Sequence, residues 1–160
     1  MSVLQDDIRS ERRRGPPASR VHEIQRAQVD AAALCSCTAT SIPAPAGEVL
    51  VLQVAGEVDL LTIAVLQGAL TSGLARGPCH LLVDLAELTF CCVRGLSLLV
   101  EAGRTAAGHG TGYSVTAASR QANRAWTVLW PAGQLPTQYP TAAAGVAAAM
   151  AGVGSAGTAA

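Results

Sequence analysis

Two stretches of this sequence are apolar at nearly every position: EVLVLQVAG at 48–56 and CHLLVDL at 79–85. A strand with one wet face alternates polar and apolar residues, and these runs leave little room for that. Both therefore read as strands of a buried sheet. Between them the spacing changes. Ile63, Leu66, Leu70 and Leu74 fall on one face of a helix that starts near Thr62, and Arg76-Gly77-Pro78 stops it. A chain that alternates buried strands with one-faced helices over short connections has to pack its helices onto a central sheet. The fold class is α/β.

The same alternation covers the rest of the foldable chain. LCSCTATSI (34–42) is rich in β-formers, and PAPAG (43–47) is a turn. After the second buried strand, AELTF leads into a loop. Leu96, Leu99, Val100, Gly103 and Ala107 then recur at helical spacing until GHGTG (108–112) ends the run. YSVTAA (113–118) reads as a third interior strand. Ser119 is a suitable N-cap for a helix whose apolar stripe is Ala122, Ala125, Trp126, Leu129 and Trp130. TAAAGVAAAMA (141–151) closes the domain as a weak, Ala-rich helix. Residues 1–33 are polar and charge-dense, with six Arg, five acids and a GPP break at 15–17. They are expected to be a largely disordered extension up to about Arg20, with a short helix carrying Val21, Ile24 and Val29 on one face. The expected organisation is an extension at 1–33, a folded domain at 34–151 and a small-residue tail at 152–160.

Composition narrows the function classes. At 160 residues there is room for one domain, with a core made from Leu, Val, Ile and Ala, because only one Phe, two Trp and two Tyr are present. The formal net charge of zero provides no field towards nucleic acid or an anionic membrane. No apolar run approaches the roughly 18 residues of a membrane span, and MSVLQDDIRSERRRGPP has no apolar core of a secretory signal. The expectation is a cytoplasmic protein, with its five cysteines reduced.

The stretch most open to chemistry or recognition is LTFCCVRGL at 88–96. It places two cysteines, a valine and an arginine between a strand and the first turn of a helix. That turn has unpaired N–H groups and the positive end of the helix dipole, which suit an anion or a carboxylate of a partner. Arg94 stands there as a candidate ion-pair donor to an acidic partner, the simpler reading being a solvated charge. Cys91 and Cys92 could form a thiol switch with Cys79, Cys35 or Cys37, if the helix terminus and Arg94 lowered a thiol pKa. Otherwise they are small, partly buried hydrophobes. No metal site is expected: Cys35 and Cys37 form a Cys-x-Cys, but no Cys-x-x-Cys occurs and His22, His80 and His109 lie singly. His80 and Cys79 are strand neighbours that point to opposite faces, so they cannot act as base and nucleophile. GHGTG follows a helix instead of a strand, the wrong context for a phosphate loop. No cofactor is expected.

The order of these elements resembles the STAS domains of anti-sigma factor antagonists. The pieces that carry the resemblance are GEVD (56–59) followed by a helix, LVDLAELTF (82–90), and Gly95-Leu96 after the loop. The resemblance implies a central mixed β-sheet with helices packed on it, and a protein-binding regulator in place of an enzyme. Its partner would be an anti-sigma factor with a kinase-like fold, whose capture frees a sigma factor. It also implies that Glu57, Asp59 and Thr62 share one partner-facing surface with Cys91, Cys92, Val93, Arg94, Gly95 and Leu96. Asp59 has a simpler reading too, as an acid stabilised at a helix N-terminus. Family members carry Phe-x-Asp-Ser-Ser-Gly-Leu in this loop, the second Ser being the phosphate acceptor. Here Phe90, Gly95 and Leu96 match, Cys92 stands at the Asp, Val93 at the first Ser and Arg94 at the acceptor. The implied surface is kept and the implied switch is missing. Two other readings stay open: a thiol-based redox sensor or enzyme using Cys91 and Cys92, and a STAS module of another signalling assembly. The oligomeric state is left open.

Overall fold

The computed structural model describes residues 34–152. Expectations for 1–33 and 153–160 lie outside the described residues. In chain order the elements are β1 (Cys35–Ala44), β2 (Gly47–Val58), α1 (Ile63–Ala75), β3 (His80–Asp84), β4 (Leu88–Cys91), α2 (Val93–Gly108), β5 (Gly112–Thr116), α3 (Arg120–Leu129), β6 (Thr137–Tyr139) and α4 (Ala142–Met150). A single 3-10 turn, Ala132–Gln134, precedes β6.

The sheet is mixed, in the order β1-β2-β3-β5-β6, with β4 also paired to β2. β1 and β2 form an antiparallel hairpin, and every other pairing is parallel. The expected turn at 43–47 is tighter than the sequence suggests. Pro43 and Ala44 belong to β1, and Pro45-Ala46 alone make the bend. A Pro is tolerated there because β1 is an edge strand.

Side-chain alternation divides the interior into two layers. Leu81 and Val83 of β3 join Leu50, Leu52 and Val54 of β2 in one cluster with Leu66, Leu70 and Leu74 of α1 and Leu96 and Leu99 of α2. Leu82 points the other way, under α4, where a Cβ on Gly145 would come 2.9 Å from both Leu82 methyl groups. The Ala-rich helix can lie this close only because Gly145 presents no side chain. Burying each of these Leu and Val side chains contributes about 1.5–3 kcal/mol relative to leaving it exposed.

Helix boundaries follow their local signals. Gly77 has φ +65° and its N–H bonds to the Leu74 carbonyl, closing α1 where Arg-Gly-Pro predicts a stop. Ser119 caps α3 by accepting from Ala122 N at 3.4 Å. The helical spacing predicted Gly103 and Ala107 on the inner face of α2; Gly103 meets Tyr113, but Ala106 is buried and Ala107 is exposed. Leu129 also departs from the expected stripe and is 46% exposed. The helix ends there, and Trp130, extended at φ −129° and ψ 139°, packs against the core instead.

β3 is buried along most of its length, and His80 with it, at 4% exposure. Its Nε2 lies 2.7 Å from Ser114 Oγ on the neighbouring strand, and its ring fills the space over Gly112, where a Cβ would sit 2.3 Å from Nδ1. Burial holds its pKa below the ordinary imidazole value of 6.5. The folded state therefore resists a proton that the unfolded chain accepts. Stability is expected to be full above pH 6.5 and to fall as the pH drops from there towards the depressed folded value. The ceiling on this slope is about 1.4 kcal/mol per pH unit for one group. Urea midpoints measured at several pH values check it, and His80→Gln is expected to flatten this part of the profile.

Candidate partner-binding surface

β2 is longer than the apolar run that announced it, and its extra length builds the surface. Up to Gln53 it pairs with β3; from Gly56 onwards the same side pairs with β4, so β3 and β4 lie end to end along it. The register shifts between Gly56 and Glu57. Gly56 has φ +90°, and a Cβ there would come 2.0 Å from the Leu34 carbonyl oxygen, so only glycine fits. Its N–H donates to Glu87 O at 3.0 Å and its carbonyl accepts from Thr89 Oγ1 at 2.9 Å. Because β2 and β4 run parallel, their carboxyl ends emerge at one edge, the usual place for a site in such a sheet. Residues 59–62 follow β2, and Cys92 with the first turn of α2 follows β4. Cys92 N donates to Val58 O at 2.8 Å, which ties the two segments together.

The first segment is a turn held by its own side chains. Asp59 Oδ1 accepts from Leu61 N at 2.8 Å, from Thr62 N at 2.9 Å and from Thr62 Oγ1 at 3.1 Å. These bonds, the one from Thr62 N foremost and that from Leu61 N next, hold the Asp59 carboxyl below the usual carboxylate range. Thr62 is fully buried; its Oγ1 lies 2.8 Å from Glu57 O and 2.9 Å from Asp59 N. Asp59 thus shapes the turn through which the chain enters α1. The consequence is to turn the two residues between Asp59 and Thr62 outwards: Leu60 is 80% exposed and Leu61 76%.

The second segment is the start of α2. Cys92 is its N-cap, extended at φ −70° and ψ 162°, with no side-chain cap bond and no acid in the first turn. Val93 and Arg94 are exposed, Gly95 and Leu96 buried. Gly95 is where helix and strand meet, since a Cβ there would come 2.6 Å from Cys91 Sγ and 2.8 Å from Val58 Cγ1. Arg94 does not reach towards the loop. Its Nη1 pairs with Glu101 Oε1 two turns along the helix at 3.1 Å, with both side chains about half exposed. An exposed pair of this kind contributes about 0–1 kcal/mol.

The sequence-predicted residues therefore come together, with different parts to play. Glu57, Asp59, Cys92, Val93 and Arg94 reach the surface at least in part, whereas Thr62, Gly95 and Leu96 lie beneath it and set its shape. Leu60, Leu61 and Phe90 were not among the expected site residues, and Phe90 is 48% exposed. The signal for the two leucines was in the sequence. They precede the helical spacing that begins at Ile63 and have no place in its apolar stripe.

The environment of Cys91 is the reverse of what a thiol switch needs. Burial foremost, then the neighbouring Cys92 and Cys35, pushes its thiol up to about 12, and Sγ lies 3.6 Å from the Cys92 carbonyl. Arg94, turned to Glu101, does not offset this. Cys37 is likewise pushed up to about 12, first by burial and then by Cys35. All five cysteines are free thiols. Among the described residues no group of three or more His, Cys, Asp or Glu could hold a metal ion, and no helix is long and apolar enough to cross a membrane.

The family model described as Mlab, STAS domain, matches residues 43–129, more than half of the chain. No curated protein matches it. Among solved structures, the chain is similar to an anti-sigma factor antagonist from Mycobacterium paratuberculosis, with 28% identity and a TM-score of 0.57, covering 71% of this chain and 94% of that one. It also shares the fold of the anti-sigma factor antagonist SpoIIAA in its unphosphorylated form, with 11% identity and a TM-score of 0.56, over 73% of this chain and 99% of that one. Both the sheet order and the family match agree with the resemblance read from GEVD and LVDLAELTF: this chain belongs to the STAS-domain family.

Proposed function

We propose that this protein is an anti-sigma factor antagonist that acts by occupation. Its partner is an anti-sigma factor with a kinase-like fold, and capture of that partner frees a sigma factor for transcription. The observation that carries this reading is the pairing of β2 with β4, which sets the Asp59–Thr62 turn beside the start of α2. Leu60, Leu61, Phe90 and Val93 lie exposed on these two segments, with Glu57 and Arg94 beside them. Apolar anchors with a polar rim are the usual make-up of a protein–protein interface. The role requires no bond to be made or broken by this chain.

In this reading the surface is always available. Arg94 stands where the family's phosphate acceptor stands and has no hydroxyl to modify. The two flanking hydroxyls are engaged within the fold, Thr89 Oγ1 with Gly56 O at 2.9 Å and Ser97 Oγ with Val93 O at 3.1 Å. A phosphate at such a loop would add a charge of about −1.5 to −2 and change what it can bind. Purified protein incubated with its anti-sigma factor and ATP is therefore expected to keep its intact mass and its affinity for the partner. Phosphate on Thr89 or Ser97 accompanied by loss of binding would show that the switch has moved to a neighbouring residue. Failure of the purified protein to capture any anti-sigma factor from the cytosol of its own source would overturn the reading itself.

A further inference from the structure

β1 is a ten-residue edge strand. Such edges are normally blunted by charges, bulges or a very short length, because they offer unpaired N–H and C=O groups to any other strand. β1 pairs with β2 without a break in register over its whole length, and residues 34–47 contain no charged side chain. Ser36, Thr38, Ala39, Thr40 and Ser41 are all exposed, and among the described residues no strand covers the outer edge.

The direction of its hydrogen-bonding groups follows from β2. Glu48 O accepts from Cys79 N, and Gly56 N donates to Glu87 O, so the even-numbered residues of β2 direct their groups towards β3 and β4. Alternation then turns the odd-numbered residues of β2 towards β1. In the observed register Val49 meets Ile42, Val51 meets Thr40 and Gln53 meets Thr38. The even-numbered residues of β1 are thus used within the hairpin, and Cys37, Ala39 and Ser41 present their N–H and C=O groups outwards.

We propose that this edge joins two copies of the chain, with β1 pairing antiparallel to β1 of a partner subunit about a two-fold axis through Ala39. The two sheets become one. In this register Ala39 faces itself, Cys37 faces Ser41 of the partner subunit, and both pairs exchange two backbone hydrogen bonds. Pro43, the only residue on the outer edge without an N–H, falls opposite Cys35 of the partner subunit, at the end of the ladder where it costs least. A different register would move Pro43 inwards or leave outward groups unmatched. The interface is isologous, as a two-fold dimer requires. Small side chains at Ala39 and hydroxyls at Thr38 and Thr40 allow close approach, and Thr pairs across strands are favourable. A second copy is the occupant this edge fits, because a two-fold axis sets the strand against its own kind, residues 34–47 carry no charge to repel a copy, and the symmetric register leaves Pro43 at the end of the ladder. The proposal is independent of the partner-binding role above.

The test uses the full chain under reducing conditions, with sedimentation equilibrium over a wide concentration range. Wild type is expected to associate to twice its mass. Cys35 and Cys37 point into the core, so Ala39 projects on the same side, exposed and outside the core cluster. Ala39→Lys and Ala39→Glu each set like charges directly opposite one another at the axis. Each is expected to weaken self-association at least about tenfold, the equivalent of about 1.4 kcal/mol. An equimolar mixture of the two variants is expected to restore the dimer as a heterodimer, with circular dichroism as the control for folding. A wild type that stays monomeric at all concentrations, a dimer unaffected by both charges, or a mixture that fails to reassociate would each overturn the proposal. A monomer that captures an unrelated extended peptide on this edge would assign it to another partner and would overturn it as well.

Discussion

Leu60→Ser combined with Leu61→Ser is expected to leave the fold intact and to weaken capture of the anti-sigma factor by about 10²- to 10⁴-fold. Both side chains are more than three-quarters exposed, so folding gains little from them. The turn is held by Asp59 Oδ1 accepting from the backbone N–H groups of residues 61 and 62, and these remain after substitution. Serine also suits a turn. Surface changes of this kind usually alter stability within about ±0.5 kcal/mol. In the complex the accounting differs. Each leucine that passes from water into an interface contributes about 1.5–3 kcal/mol, so the pair contributes about 3–6 kcal/mol. At about 1.4 kcal/mol per decade that is the stated range. Titration calorimetry against the purified partner measures it, with a thermal melt as the folding control. Unchanged affinity with an unchanged melt would place the interface elsewhere. Arg94 is the weaker lever, since its guanidinium is exposed and already paired with Glu101.

Trp126→Ala is expected to cost about 3–5 kcal/mol and Trp126→Phe much less. Trp126 is among the largest fully buried side chains, on the inner face of α3 in the main core cluster. Alanine there leaves a cavity that neighbouring helices can close only in part. Against a typical total of about 5–15 kcal/mol, the loss takes a large share of the stability. Phenylalanine keeps most of the contact area. It also removes the indole Nε1–H, which is buried with no hydrogen-bond partner among the described residues. A buried donor without a partner costs about 1–3 kcal/mol, so its removal offsets part of the lost packing. Urea unfolding of the three proteins at one pH gives the comparison. Equal losses for Ala and Phe would mean that removing the indole N–H offsets nothing.

How much of this was legible from the residues depends on the length of the signal. The apolar runs at 48–56 and 79–85 and the helical spacings from Ile63 and from Leu96 each extend over several residues. Periodicity of that extent reports which side of an element is buried, so α/β and the place of α1, α2 and β3 could be read directly. β4 and β6 could not. They are four and three residues long, and neither carries enough period to be distinguished from a loop. Their positions come from pairing, with β4 against the far end of β2 and β6 against β5. Even the turn at 43–47 was misjudged in extent, because β1 is held through Ala44 by its partner strand and not by its own propensities.

The candidate surface divides in the same way. The residue types at 57–62 and 88–96, including the absence of a hydroxyl at position 94, are properties of the sequence. That the two stretches adjoin is not, since they are some thirty residues apart in the chain and meet only because β2 runs on past the end of β3 and takes β4 as its neighbour there. Tertiary structure also decided what each residue does there. It committed Asp59 to the turn, sent Arg94 along the helix to Glu101 and raised the Cys91 thiol. It left Leu60 and Leu61 in water. A sequence specifies which groups are available and, through periodicity, which of them face inwards. Hydrogen-bond partners, burial and pKa depend on atoms distant in the chain, and only the folded arrangement brings those atoms within reach.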